Sequence, residues 1–124
     1  MTPGSHTYFD HNQTQQTATE PLSIGGYLPI DTVYSFEPVP ASLTPAQSTH
    51  ILGAQAQLST EYIRDPKELE YMAYPRMSAL SEAVRTASGR RDFQDFMQRL
   101  RPHLLRLDAM DVKYRKLDAP VTLP

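Results

Sequence analysis

Between Phe93 and Leu107 the apolar residues Phe93, Phe96, Met97, Leu100, Leu104 and Leu107 return at three- and four-residue steps, while Arg90, Arg91, Arg99, Arg101 and Arg106 fall mostly on the other sides. That spacing predicts an amphipathic helix, with Pro102 expected to bend it or divide it in two. A second stripe runs through Leu69, Met72, Ala73, Leu80, Ala83 and Val84. It opens at Asp65-Pro66-Lys67-Glu68, an acidic N-cap, a proline at the first helical position and a capping-box glutamate. Pro75 should end or kink the first segment near Tyr74, and Gly89 is expected to close the helix.

Strand signals are weaker. Ile51 to Leu58 is the one candidate for a buried strand, although Gly53 and the alanines lower its propensity. Residues 11 to 20 are polar without periodicity, and residues 21 to 45 carry Pro21, Gly25, Gly26, Pro29, Pro38, Pro40 and Pro45, so no long regular element is expected there. Within that stretch Ile30 to Tyr34 fits a short helical turn, and Thr44-Pro45 reads as the N-cap and first position of another short element. The tail from Ala119 to Pro124 has no pattern and is expected to be frayed. One strand and a few helices cannot hide both faces of a sheet, so the chain reads as part of a larger fold.

Composition narrows the function. The 124 residues allow one domain at most, and 11 prolines are about twice the ordinary rate of roughly 5 %. A net charge of −2 gives no reason to expect nucleic acid or an anionic membrane as partner, and no apolar run approaches a membrane span. The first residues carry neither a basic nor an apolar leader segment, and the compartment is not fixed by the sequence. The absence of cysteine removes disulfides and thiolate metal sites. His6, His11, His50 and His103 lack metal-ligand spacing, so neither a metal nor a cofactor is expected. Six arginines between Arg85 and Arg106 are interleaved with acids and read as a solvated helix face.

The candidate chemistry lies where Ile51–Leu58 runs into Ser59-Thr-Glu61 and a helix start follows. An α/β enzyme presents a ligand-binding carboxylate in this way, at the C-terminal end of a strand. On the residues alone, Glu61 reads equally well as a surface acid, and Tyr8 and Asp10 as an ordinary loop tyrosine and loop acid. Ser59 has no histidine in a context that supports nucleophilic catalysis. Arg76 reads as neutralising a carboxylate in the interior, and Tyr71 and Tyr74 as packing residues.

Several motifs in order resemble the end of the catalytic barrel of the β-N-acetylhexosaminidases of glycoside hydrolase family 20. Met1-Thr-Pro with Thr7-Tyr-Phe-Asp10 resembles the end of the seventh barrel strand. Ile24-Gly-Gly-Tyr-Leu-Pro-Ile and Val33-Tyr-Ser-Phe-Glu-Pro resemble the long loop after it. Gly53-Ala-Gln-Ala-Gln-Leu resembles the eighth strand. Tyr71-Met-Ala-Tyr-Pro-Arg and Ala79-Leu-Ser-Glu-Ala-Val resemble the closing helix, and Phe93 to Tyr114 the trailing one. The resemblance implies an α/β fold: residues 1–118 as an incomplete C-terminal portion of a (β/α)₈ TIM barrel, with strands 7 and 8 and the closing helices, predominantly helical with a long Pro/Gly-rich loop, and 119–124 as a disordered tail.

It also implies removal of terminal N-acetylhexosamines from glycans by a substrate-assisted retaining mechanism, in which the acetamido oxygen of the sugar attacks the anomeric carbon. By resemblance Tyr8 bonds that oxygen and stabilises the oxazolinium-like intermediate, while Asp10 and Glu61 accept from sugar hydroxyls. The family's general acid and the aspartate before it form an Asp-Glu pair on the fourth strand, and this chain contains no Asp-Glu dipeptide.

The sequence departs from the family pattern in three places. Ser59 stands where Leu-Trp-Thr-Glu has its tryptophan, which removes about 150–250 Å² of aromatic contact surface from the pocket. Arg85 replaces a second tryptophan expected to pack, and its charge must reach out to solvent or leave a defect. Asp111-Val-Lys-Tyr-Arg stands where the family often has Gly-Val-Asn-Tyr-Arg. Met1-Thr-Pro3 begins inside the Val-Met-Ser-Pro pattern of the seventh strand, which implies a truncated reading frame. The expectation is therefore a hexosaminidase fragment, inactive alone, with the missing N-terminal part of the barrel as a partner. The alternative is a small helical module without enzymatic activity, self-associating through the apolar faces of residues 69 to 107.

Overall fold

Local signals decide where each helix starts. In the computed structural model, which describes residues 1–118, α1 spans Gly4–Thr7, α2 Ile30–Tyr34, α3 Pro45–Ser48, α4 Pro66–Ala73, α5 Arg76–Arg85 and α6 Phe93–Ala109. Thr44 and Gln47 complete a reciprocal capping box at α3. At α4 the Asp65 carboxylate accepts from Glu68 N at 2.9 Å. Glu68 does not return to the cap itself; it accepts from Arg64 N and Nε, each at 3.0 Å. The guanidinium of Arg64 holds the Glu68 carboxyl below its ordinary range.

The stops differ more from expectation. Tyr74 caps α4, so the stripe breaks where Pro75 predicts, and the Tyr74–Pro75 peptide is cis. Gly89 does not close α5. That helix ends at Arg85, and Gly89 lies in a separate 3₁₀ turn, Ser88–Arg90. The chain is drawn off the helix because Arg91 anchors the next segment, donating to the carbonyls of Phe36 (2.6 Å) and Tyr34 (3.3 Å) and pairing with Glu37. Pro102 does not divide α6, which runs unbroken for 17 residues. The proline is exposed, so the carbonyl it leaves without a partner lies on the wet side of the helix while the apolar stripe continues on the other. Arg85 is exposed, so its charge reaches solvent.

Three of the helices, α2, α5 and α6, share one core with the segments that flank them. Phe9, Leu28, Val33, Tyr34 and Phe36 from the first third meet Ala79 and Leu80 of α5, Phe96, Leu100, Leu104 and Leu107 of α6, and Tyr114. α2 packs on α5, and Tyr34 stacks on Phe96 with ring centroids 4.8 Å apart. The α6 stripe on which a self-associating module would depend is thus already used within the chain.

The loop-rich first third is held by side chains. Glu20, whose side chain is 4 % exposed, accepts from Tyr71 Oη at 2.9 Å and Arg115 Nε at 3.4 Å. Burial and that carboxylate push the Tyr71 hydroxyl up to about 12. At the far end Asp111 has φ +57. Val112 N bonds Leu107 O at 2.9 Å and Asp111 N bonds Asp108 O at 3.0 Å, the two bonds of a Schellman stop to α6.

The expected buried strand is corrected. Among the described residues no continuous strand forms; extended segments meet only at two isolated parallel bridges, Tyr8 with Gln57 and Asn12 with Tyr27. Ile51–Leu58 is extended but only partly covered, and Leu52 is 97 % exposed. A strand is stabilised by ladders on its flanks and packing on its faces, and here one short neighbour supplies both. The frayed tail expected from Ala119 to Pro124 lies outside the described residues.

Candidate functional site

Two segments far apart in the chain build the site. Phe9 N donates to Gln57 O and Gln57 N to Thr7 O, each at 2.9 Å, which clamps Tyr8–Asp10 beside Gln57–Ser59. The side chains then interlock. Ser59 N donates to Asp10 Oδ2 at 2.8 Å, and the hydroxyls of Tyr8 and Ser59 lie 3.4 Å apart. Asp10 is buried, while Tyr8 and Ser59 are half-buried with part of each open to solvent.

Tyr8 is held from behind. Its ring meets the His11 ring edge-on at 4.9 Å, and His11 Nδ1 bonds Gly25 O at 3.0 Å. Gly26, at φ +75, lies against the same imidazole; a Cβ there would fall 2.1 Å from His11 Nδ1. The sequence therefore needs glycine at 26 for both the backbone angle and the space.

Glu61 is not part of this interlock. It is exposed, in a bend two residues beyond Ser59, with no hydrogen bond to Tyr8, Asp10 or Ser59. Three of the four expected positions thus come together, and the fourth stands at the rim of the loop that carries them.

Beneath the site is a residue whose role the sequence reading missed. Arg76, at the first position of α5, is 0 % exposed. Among the described residues it makes no direct ion pair with the carboxylate it was expected to neutralise; its guanidinium donates to the main-chain carbonyls of Phe9, His11, Leu28 and Met72. Its charged carbon sits 4.8 Å from the centroid of the Phe9 ring. Burial pushes the guanidinium down to about 9, with Asp10 and Glu20 opposing that shift. A signal was available: Arg76 shares a helical face with Ala79, Leu80 and Ala83, which puts a charge on the side that must be buried.

A cleft lies elsewhere, a space of about 490 Å³ between α5 and α6 that includes Met77, Ser81, Arg85, Phe96 and Arg99 in its wall. Tyr8, Asp10 and Ser59 do not line it. Among the described residues no group of three or more His, Cys, Asp or Glu side chains is placed to hold a metal ion, and no helix is long and apolar enough to cross a membrane.

Residues 1–87 match the model of the glycosyl hydrolase family 20 catalytic domain. The chain belongs to glycosyl hydrolase family 20. A beta-hexosaminidase of Porphyromonas gingivalis is 42 % identical over 115 residues, covering 92 % of this chain and 15 % of that protein. A beta-N-acetylhexosaminidase of Cellulomonas fimi is 33 % identical over 104 residues, 83 % of this chain and 20 % of that protein. Among solved structures, the family 20 exo-beta-N-acetylglucosaminidase of Vibrio harveyi in complex with N-acetylglucosamine superposes with a TM-score of 0.76 at 33 % identity, covering 93 % of this chain and 18 % of that one. The chain spans less than a quarter of the length of each of these relatives, and its helices and loops follow those of the larger fold.

Proposed function

We propose that this chain carries part of the sugar pocket of a β-N-acetylhexosaminidase and does not hydrolyse glycosides by itself. The observation that carries this reading is the convergence of Tyr8 and Asp10 with Ser59 across a sequence separation of 51 and 49 residues. In the pocket the Tyr8 hydroxyl donates to the acetamido oxygen of an N-acetylhexosamine, and Asp10 and Glu61 accept from its hydroxyls. Ionised carboxylates suit this task because each takes two donors and makes charge-assisted bonds. Asp10 keeps an oxygen free after accepting Ser59 N, and Glu61, at the rim, is free to turn towards the outer hydroxyls.

Hydrolysis needs a proton delivered to the leaving oxygen and a group that orients the acetamido arm. The family supplies both from an Asp-Glu pair, and these 124 residues contain none. We assign the two bridged segments to the seventh and eighth strands of a (β/α)₈ barrel, and the earlier strands with the Asp-Glu pair to the N-terminal part of the barrel, which these residues do not include. Two main-chain segments that bridge each other and little else support this assignment.

The test is a titration of the isotope-labelled 124-residue chain with N-acetylglucosamine, followed by NMR, beside an assay with a chromogenic N-acetylglucosaminide. The expected result is a millimolar affinity, with shifts centred on Tyr8, Asp10 and Ser59, and no turnover. Turnover above background would overturn the inactivity, and a titration that leaves these three resonances unmoved would overturn the pocket.

A further inference from the structure

We propose that Arg76 is the positioning residue of this pocket: its guanidinium fixes the main chain on both sides of Asp10 and thereby sets where the Asp10 carboxylate and the Tyr8 hydroxyl point. The assignment of the pocket to a sugar rests on the reading above; the positioning role rests on geometry.

Arg76 Nη2 donates to Phe9 O at 2.5 Å and Nη1 to His11 O at 2.8 Å. These two carbonyls bracket Asp10. Nη1 also reaches Leu28 O at 3.2 Å, in the segment whose amide bonds Asn12 O at 2.8 Å, and Nη2 and Nε return to Met72 O at 2.6 and 3.2 Å. One planar fork thus ties residues 9, 11 and 28 to the end of α4. Only a guanidinium can do this, because its five donors are fixed in one plane and diverge, whereas an ammonium offers a single point. The order is transmitted outward. With Phe9 and His11 fixed, Asp10 meets Ser59 N, and the His11 ring stands edge-on behind Tyr8.

The experiment uses the full chain and its Arg76→Lys variant, which keeps the charge and loses the fork. Amide hydrogen exchange is read at Phe9, Leu28, Gln57 and Ser59, whose N–H groups make the scaffold bonds, and at Leu100 and Leu104 in α6. In the variant the four scaffold amides are expected to exchange at least tenfold faster while the α6 amides change less than twofold, and N-acetylglucosamine affinity is expected to fall about tenfold. Equal loss of protection at both groups would make Arg76 a general fold residue and overturn the proposal, as would unchanged scaffold amides. If the variant loses its helical circular dichroism, the unmodified chain decides. In sub-denaturing urea the four amides should open together at lower denaturant than α6, and opening in step with α6 would overturn the proposal. If the unmodified chain binds no sugar, the proposed function fails while the exchange result still judges Arg76.

Discussion

Placing an aromatic side chain at position 59 tests the proposed pocket most directly. Ser59→Trp leaves the main-chain N–H that bonds Asp10 and removes only the 3.4 Å hydroxyl contact with Tyr8. An indole buries about 150–250 Å² when fully covered. One ring face against a pyranose covers roughly a third of that, or ~70 Å². At ~25 cal/mol per Å² the contact contributes about 1.7 kcal/mol. Ordering the side chain costs about 0.7 kcal/mol, which leaves ~1 kcal/mol, a roughly fivefold gain in affinity. The assay is the NMR titration with N-acetylglucosamine, with Ser59→Ala as the control that loses the hydroxyl and adds no ring. The variant should bind about fivefold tighter than this control, with indole resonances shifting in the same titration. A folded Ser59→Trp chain that binds no better than Ser59→Ala would refute the placement of the sugar over this position.

Three further outcomes follow from other parts of the molecule. Asp111→Gly should stabilise the chain by about 0.5–1 kcal/mol in urea unfolding, because the αL stop of α6 strains an aspartate by more than the glycine costs in unfolded-chain entropy; Asp111→Asn should fall between the two. Gly26→Ala should destabilise by ~2 kcal/mol, since a Cβ at φ +75 also displaces the His11 ring, whereas Gly89→Ala, with open space around it, should change stability by less than about 0.5 kcal/mol. Glu82, held below its ordinary carboxyl range by Arg99 and the Tyr34 hydroxyl, contributes stability that is present above the unfolded value of 4.5 and is lost as pH falls through the lower folded value. Thermal melting from pH 6 down to pH 3 should therefore show a smaller acid loss in Glu82→Gln than in the unmodified chain.

The helices and the site were legible to different degrees, for physical reasons that the particular residues make plain. Helix starts are written in two or three adjacent residues, so Thr44-Pro45 and Asp65-Pro66 could be read directly, as could the short turn Ile30–Tyr34. Stops depend on what pulls the chain away. Gly89 looked like one, yet Arg91 and its carbonyl partners on Phe36 and Tyr34 settle the path. The chemistry of Pro102 alone predicts a break, whereas its exposed position lets the helix continue. In the site, Tyr8, Asp10 and Ser59 were named from motif resemblance, but their meeting is a long-range fact carried by main-chain bonds. The burial of Arg76 is legible in the helical face it shares with Ala79, Leu80 and Ala83, whereas its carbonyl partners leave no trace in side-chain identity. The strand expectation at Ile51–Leu58 erred because its composition reads the same whether or not neighbouring strands are there to pair with it.

The guanidinium bonds of Arg76 also bear on the order of folding events. They join residues 67, 65 and 48 apart in the chain, and closing such loops costs entropy that only later contacts repay. The α5 and α6 helices need no such loop closure to form, so the carbonyl bonds are expected to be made late in folding. Removing them should then leave the refolding rate nearly unchanged and speed unfolding, the kinetic signature of an interaction absent from the transition state. The pocket scaffold would be the last part of the chain to assemble and the first to come apart.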